Sequence, residues 1–150
     1  VANRLFYHDM GPELFVTLFV ARYTPTSGQL VYTSAGHDPV YICRANGQET
    51  TLRSQGPVLG IFPEVELKDR RVWLHEDDIL VLYTDGLVNV RCAGGTIGED
   101  SRRICAAINR HRTLPAAELI QRVEEEMVAG CETTDDITAV VLRRREERAG

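Results

Sequence analysis

Lysine is almost absent from this chain: of 17 basic residues, 16 are arginine and only Lys68 is lysine. That bias can reflect the base composition of a genome as easily as chemistry, and no function is read from it. An excess of positive charge is missing too. The 17 basic residues face 22 acidic ones, and a net charge of −5 provides no general positive field for nucleic acid, so no nucleic-acid partner is expected. Long apolar runs are lacking: Leu14 to Ala21 and Ile79 to Tyr83 fall far short of the roughly 20 residues that cross a bilayer, so no membrane span is expected. Val1-Ala2-Asn3-Arg4 is not a basic, apolar, small-residue leader, which makes the cytoplasm the expected compartment. The four cysteines, Cys43, Cys92, Cys105 and Cys131, have no paired spacing. That argues against a zinc knuckle or a disulfide framework, and all four are expected to be buried thiols. Gly56-Pro57-Val58-Leu59-Gly60 lacks the Lys-Ser/Thr ending of a phosphate loop, Gly94-Gly95 lacks a strand-to-helix setting, and no Ser-Gly nucleophile elbow occurs. Nucleotide binding and serine hydrolysis have no support.

What is present suits an ordinary folded domain. At 150 residues, with 43% hydrophobic and 26% charged, the chain can bury a real core as one cooperative unit. Runs of β-branched and aromatic residues predict strands over 15–23, 29–35, 40–44, 65–74 and 79–84. Pro25-Thr26-Ser27-Gly28 and Asn46-Gly47 are turn signals that favour an antiparallel meander over βαβ units. The period then changes. Ile104, Cys105 and Ile108 share one face of a first helix, and Leu119, Ile120, Val123 and Met127 share one face of a second. Pro115 suits the start of that second helix and Gly130 its stop. Residues 138–143 return to strand, and the Arg143-Arg144-Arg145-Glu146-Glu147-Arg148 run is expected to be a frayed, solvated tail. Val1 to Asp9 reads as the closing turns of a helix. The class is α+β, sheets covered by helices.

Two constellations could carry chemistry. Ile79 to Gly86 is an apolar strand that delivers Asp85 at its end, where Gly86 lets the backbone turn. Thr133-Thr134-Asp135-Asp136 precedes a second apolar strand. Carboxylates at strand ends, without His or Cys at ligand spacing, suit a hard divalent cation such as Mg²⁺ or Mn²⁺ better than zinc. The same residues also suit a purely local role, Asp85 in a turn and Asp135 as a cap or Asx turn, and spacing leaves both readings open. His37, in Ser34-Ala35-Gly36-His37-Asp38-Pro39, is either a general acid or ligand, or a turn histidine satisfying nearby backbone.

Taken in order, five stretches resemble the metal-dependent serine/threonine protein phosphatases of type 2C, in the bacterial branch typified by sporulation protein IIE (SpoIIE/RsbU-like). They are Met10 to Phe19, Ala35-Gly36-His37-Asp38-Pro39, Pro57-Val58-Leu59-Gly60, Tyr83-Thr84-Asp85-Gly86-Leu87 and Asp135-Asp136-Ile137-Thr138. The resemblance covers nearly the whole chain, and the pairing of Thr-Asp-Gly with Asp-Asp-Ile-Thr is its specific part. It implies an αββα sandwich of two antiparallel β-sheets flanked by helices. It also implies a two-metal Mn²⁺ or Mg²⁺ centre ligated by Asp85 and Asp135, with Asp136, Gly86 and His37 around them. The implied activity is hydrolysis of phosphoserine or phosphothreonine on a phosphorylated regulatory protein, such as an anti-sigma-factor antagonist, by a metal-activated water. The alternative within the resemblance is a catalytically inactive phosphatase-like binding or regulatory module. One element departs from the pattern: the family's Gly-Asp segment, whose aspartate bridges the two metals, has no counterpart here, and Asp9, Asp38 and Asp100 do not fit that role. The expectation is a domain lacking roughly its first 60 to 80 residues, with exposed sheet edges that a homodimer could cover.

Overall fold

A computed structural model of the chain describes residues 2–9, 11, 14–92, 95–97 and 101–145. In chain order the elements are α1 (Ala2–Asp9), β1 (Leu18–Thr24), β2 (Gln29–Ala35), β3 (Val40–Cys43), β4 (Glu49–Leu52), β5 (Arg70–Trp73), β6 (Ile79–Tyr83), β7 (Val90–Cys92), β8 (Gly95–Ile97), α2 (Ser101–Arg110), α3 (Ala116–Val128), β9 (Cys131–Thr133) and β10 (Ala139–Arg143). A single 3₁₀ turn, Asp85–Leu87, follows β6. Among the described residues the paired strands are antiparallel, and with the three helices the class is the expected α+β. Met10, Pro12 and Glu13 of the first matching stretch, Asp100, and the end of the arginine-rich tail lie outside the described residues.

Two units divide the chain, Val1–Pro39 with Arg53–Trp73 and Val40–Leu52 with Leu74–Gly150. The first holds a sheet of order β1-β2-β5. Alternation along β2 puts Leu30, Tyr32 and Ser34 on the buried face, and the Phe19 ring stacks on Tyr32 at 5.4 Å. The helix α1 is tied down by Asn3, whose amide donates to the Phe62 carbonyl and accepts from the Gly60 N–H. The strand expected over 65–74 shortens to Arg70–Trp73, and that over 15–23 begins at Leu18 because Val16 makes only an isolated bridge to Leu59.

The meander expectation fails at residue 36. Successive strands β2 and β3 do not pair but belong to different sheets. Gly36 has φ +63°, and a Cβ there would stand 2.2 Å from the Val58 side chain, so only glycine permits this exit. Its N–H is taken by Ser54 Oγ at 2.7 Å, and Pro39 brings no N–H to a ladder.

The second unit holds a sheet of order β10-β6-β3-β4 and a small sheet of order β8-β7-β9. Apolar on both faces, β6 sits between β10 and β3 with Ile79, Leu80, Val81 and Tyr83 buried. Its core continues into the helices: Ile104 and Ile108 of α2 and Leu119, Val123 and Met127 of α3 form one cluster with Val81, Tyr83, Leu87 and Val88. At one end of the sheet the buried Asp78 carboxylate accepts from Arg44 Nη1 and the His75 N–H, both at 2.7 Å, and from the Ala45 N–H at 3.0 Å. Arg112 donates to the carbonyls of Asp77, Cys43 and Arg44, fastening the end of the α2 segment to the same corner.

Candidate functional site

At the other end of the sheet, β6 and β10 lead into the two acidic motifs. Pairing sets Tyr83 opposite Ala139, and the next step is made by Thr84. Its N–H donates to the Thr138 carbonyl at 2.9 Å, its hydroxyl accepts from the Thr138 N–H at 2.9 Å, and the same hydroxyl donates to the Asp136 carbonyl at 3.1 Å. Asp85 then opens the 3₁₀ turn, with its carbonyl receiving the N–H groups of Val88 and Asn89 at 3.0 and 2.7 Å. Across from it, Thr134 Oγ1 donates to the Asn89 carbonyl at 2.9 Å, and β7 pairs with β9 from Val90 opposite Thr133 to Cys92 opposite Cys131. The segments 79–92 and 131–143 thus run against each other along their whole length.

Gly86 is where they touch. A Cβ built there would lie 2.5 Å from the Asp136 carbonyl oxygen and 2.9 Å from that of Asp135, closer than any side chain can stand to backbone. Asp85, Asp135 and Asp136 are all exposed, while Gly86, Leu87 and Val88 beside Asp85 are buried. Asp135 Oδ1 accepts the N–H of the next residue, Asp136, at 2.7 Å, a local bond one residue short of the Asx turn expected. A carboxylate offers about four lone-pair sites, so this bond leaves Asp135 capacity for another partner.

The loops that carry Asp85 and Asp135 are therefore brought together, backbone against backbone. His37 belongs to the first unit. Its Nδ1–H donates to the Asp38 carbonyl at 2.8 Å and its ring meets Phe19 edge-on at 6.1 Å, which is the local backbone role open to a turn histidine.

The profile of the family described as Stage II sporulation protein E (SpoIIE) matches residues 1–145. The chain belongs to the SpoIIE family. This SpoIIE-family chain is 29% identical over 147 residues to the phosphoserine phosphatase RsbU of Bacillus subtilis (strain 168), a match covering 95% of the chain and 43% of that protein. It thus spans less than half the length of that relative. Among solved structures, the SiaA-PP2C domain of Pseudomonas aeruginosa matches with a TM-score of 0.74 at 18% identity, over 91% of this chain and 55% of the other. The catalytic domain of the serine threonine protein phosphatase PstP, solved in complex with two manganese ions, matches with a TM-score of 0.69 at 19% identity, over 96% and 67%. At these identities the likeness establishes the fold, that of the PP2C domains.

The donor chemistry of the SpoIIE-family loops suits a hard cation, since they offer carboxylate and carbonyl oxygen without thiolate or imidazole. Among the described residues no group of three or more His, Cys, Asp or Glu could hold a metal ion. A Mg²⁺ or Mn²⁺ ion often takes one or two protein carboxylates and keeps several waters, and two carboxylates fall short of a complete two-metal centre.

Sequence reading missed three contributors here. Thr84 was visible as the residue before Asp85, but its double hydrogen-bonding role needs the β6–β10 register. Thr134 and Asn89 meet only through the β7–β9 pairing. The expectation of four buried thiols is also corrected: Cys92 and Cys131, both half-buried, form a disulfide across β7 and β9 at a sequence separation of 39. No spacing rule sees a bond created by strand register. Cys43 and Cys105 are the buried thiols expected, with Cys43 donating to Cys105 at 2.6 Å. That hydrogen bond, together with burial, pushes the Cys43 thiol far above the ordinary cysteine range.

Proposed function

We propose that this chain works within a metal-dependent serine/threonine protein phosphatase that removes phosphate from phosphoserine or phosphothreonine on a regulatory protein, such as an anti-sigma-factor antagonist. One observation carries the reading: the backbone interlock of Thr84-Asp85-Gly86 with Asp135-Asp136, which holds the exposed Asp85 and Asp135 in adjoining loops at one end of a buried sheet. The printed name of the RsbU relative, a phosphoserine phosphatase, supports the substrate class. In this reading Asp85 and Asp135 hold Mn²⁺ or Mg²⁺. Gly86 keeps the two loops in contact, and Thr84 fixes the Asp136 carbonyl and thereby the turn that presents Asp135. Bound divalent cations supply a water of lowered pKa and neutralise phosphate charge. The buried Leu87 and Val88 anchor the Asp85 turn in the core, so its carboxylate is positioned by a rigid element.

A second reading, a phosphatase-like regulatory module that binds its partner without turnover, is favoured by the absence of a donor group of three or more among the described residues. One pair of measurements separates them: hydrolysis of p-nitrophenyl phosphate by the full-length protein at saturating Mn²⁺, and calorimetric titration with Mn²⁺. Turnover that falls about 100-fold in Asp85→Asn and in Asp135→Asn supports the phosphatase. Manganese binding without turnover supports the module. Neither binding nor turnover overturns the metal reading.

A further inference from the structure

The ladder that carries the two carboxylates is closed by a covalent bond. Cys92 ends β7 and Cys131 opens β9, and the two stand directly opposite with their Cα atoms 4.3 Å apart. Seven residues before Cys92 in the chain is Asp85, and four residues after Cys131 is Asp135, as the numbering gives. Between bond and carboxylates lie only the pair Val90–Thr133, the pair Arg91–Glu132 and the Thr134–Asn89 hydrogen bond. Strands of three residues hold weakly by backbone pairing alone, so the disulfide is the strongest tie at this end of the ladder. It also closes the excursion that contains α2 and α3.

The two thiol pairs of this chain differ in access. Cys43 and Cys105 are 0% and 5% exposed inside the core, out of reach of a reagent. Cys92 and Cys131 are only half-buried, so an attacking sulfur can approach.

We propose that Cys92–Cys131 is a thiol–disulfide exchange site whose redox state sets how firmly the Asp85 and Asp135 loops are held. The co-reactant is a dithiol reductant. Its thiolate attacks one sulfur, the Cys92–Cys131 bond breaks and a mixed disulfide forms. The reductant's second thiol then displaces the protein sulfur, so the reductant leaves as a disulfide while Cys92 and Cys131 gain two electrons and two protons as free thiols. Oxidised, the ladder is pinned at both ends, by Thr84–Thr138 and by the bond. Reduced, it is pinned at one, and the loops open more often. The consequence for metal binding rests on the function proposed above, whereas the redox change in loop order does not.

The test uses the purified full chain, oxidised in air or reduced natively with dithiothreitol. Alkylation with iodoacetamide and intact mass count the free thiols, hydrogen exchange reports the loops, and Mn²⁺ titration reports the site. Expected are two more labels after reduction, located on Cys92 and Cys131, and amide exchange about tenfold faster at Val88 and Asn89, with Thr84 and Thr138 at the retained pin changing less. Exchange in β1 and β2, which share no residue with the ladder, stays unchanged. The double variant Cys92→Ser/Cys131→Ser in air reproduces the reduced exchange pattern. Labelling of both cysteines in the air-oxidised protein overturns the proposal, and so does equal exchange in the two redox states. If exchange responds to reduction while Mn²⁺ binds in neither state, the exchange site stands and the metal reading falls.

Discussion

Removing the Asp78 carboxylate tests how the sheet end away from the acidic loops is held. The Asp78 side chain is 2% exposed and its Arg44 partner 17%, and the carboxylate takes three hydrogen bonds, from Arg44 Nη1, the His75 N–H and the Ala45 N–H. Asp78→Ala deprives a largely buried guanidinium of this carboxylate and strips two backbone N–H groups of their acceptor. Breaking a buried pair in this way costs about 3 to 5 kcal/mol, well above the 0 to 1 kcal/mol of a surface ion pair. For a chain of this size that lowers Tm by about 6 to 20 °C. The pH dependence gives a second handle. Burial pushes the Asp78 carboxyl up, but the His75, Arg44 and Ala45 hydrogen bonds and the Arg44 charge outweigh it, so its pKa lies below the ordinary aspartate value. A carboxyl depressed in the folded state contributes stability that is fully present above its unfolded pKa and is lost as pH falls below about 4. Asp78→Asn keeps the shape without the charge, so the gap between wild type and Asn should be wide at pH 7 and shrink as pH drops through that range. Urea unfolding at pH 7 and at pH 3 measures both values. A gap that is the same at the two pH values, or an Asp78→Ala loss below about 1 kcal/mol, refutes the buried-pair account.

Gly86→Ala forces a methyl against two carbonyl oxygens that cannot rotate away, so it should cost about 1 to 3 kcal/mol by thermal denaturation and weaken Mn²⁺ binding; unchanged binding would show that the two loops need not touch. The disulfide closes a loop of sequence separation 39, for which chain entropy gives about 4 kcal/mol. Reduction should therefore lower Tm by about 8 to 16 °C in calorimetry, and no shift would mean that the bond constrains nothing in the unfolded chain. Because Asp85 and Asp135 are exposed, Asp85→Asn and Asp135→Asn should leave Tm in a chelator within about 2 °C of wild type, checked by differential scanning fluorimetry.

Strong local pattern is where the sequence spoke most clearly. The Ile79–Tyr83 run became an inner strand of its sheet, and Leu119, Val123 and Met127, spaced at one helical turn, became the buried stripe of α3. Val65 to Leu74 read as one strand, yet only its last part found a partner, in β2. The short strands β4, β7, β8 and β9 escaped notice because three or four residues carry no period, and their pairing is decided by neighbours far along the chain. Nothing local separates a strand that continues a sheet from one that starts another, and the demand for glycine at residue 36 comes from Val58, 22 residues along the chain. At the candidate site, Asp85 and Asp135 could be picked out as acids at strand ends. That their loops face each other follows from the β6–β10 register, which no tripeptide encodes. Asp77-Asp78 had the same sequence appearance, acids before an apolar strand, and one of them proved to be a buried structural anchor.

The contact at Gly86 also constrains how this chain can change over generations. Any missense allele at that codon adds a carbon where the Asp135 and Asp136 carbonyls already stand, so its cost is smaller where the 135–136 bend has first receded. Two stretches distant in the gene are thus sterically coupled, and the tolerance of the earlier one depends on the path of the later one.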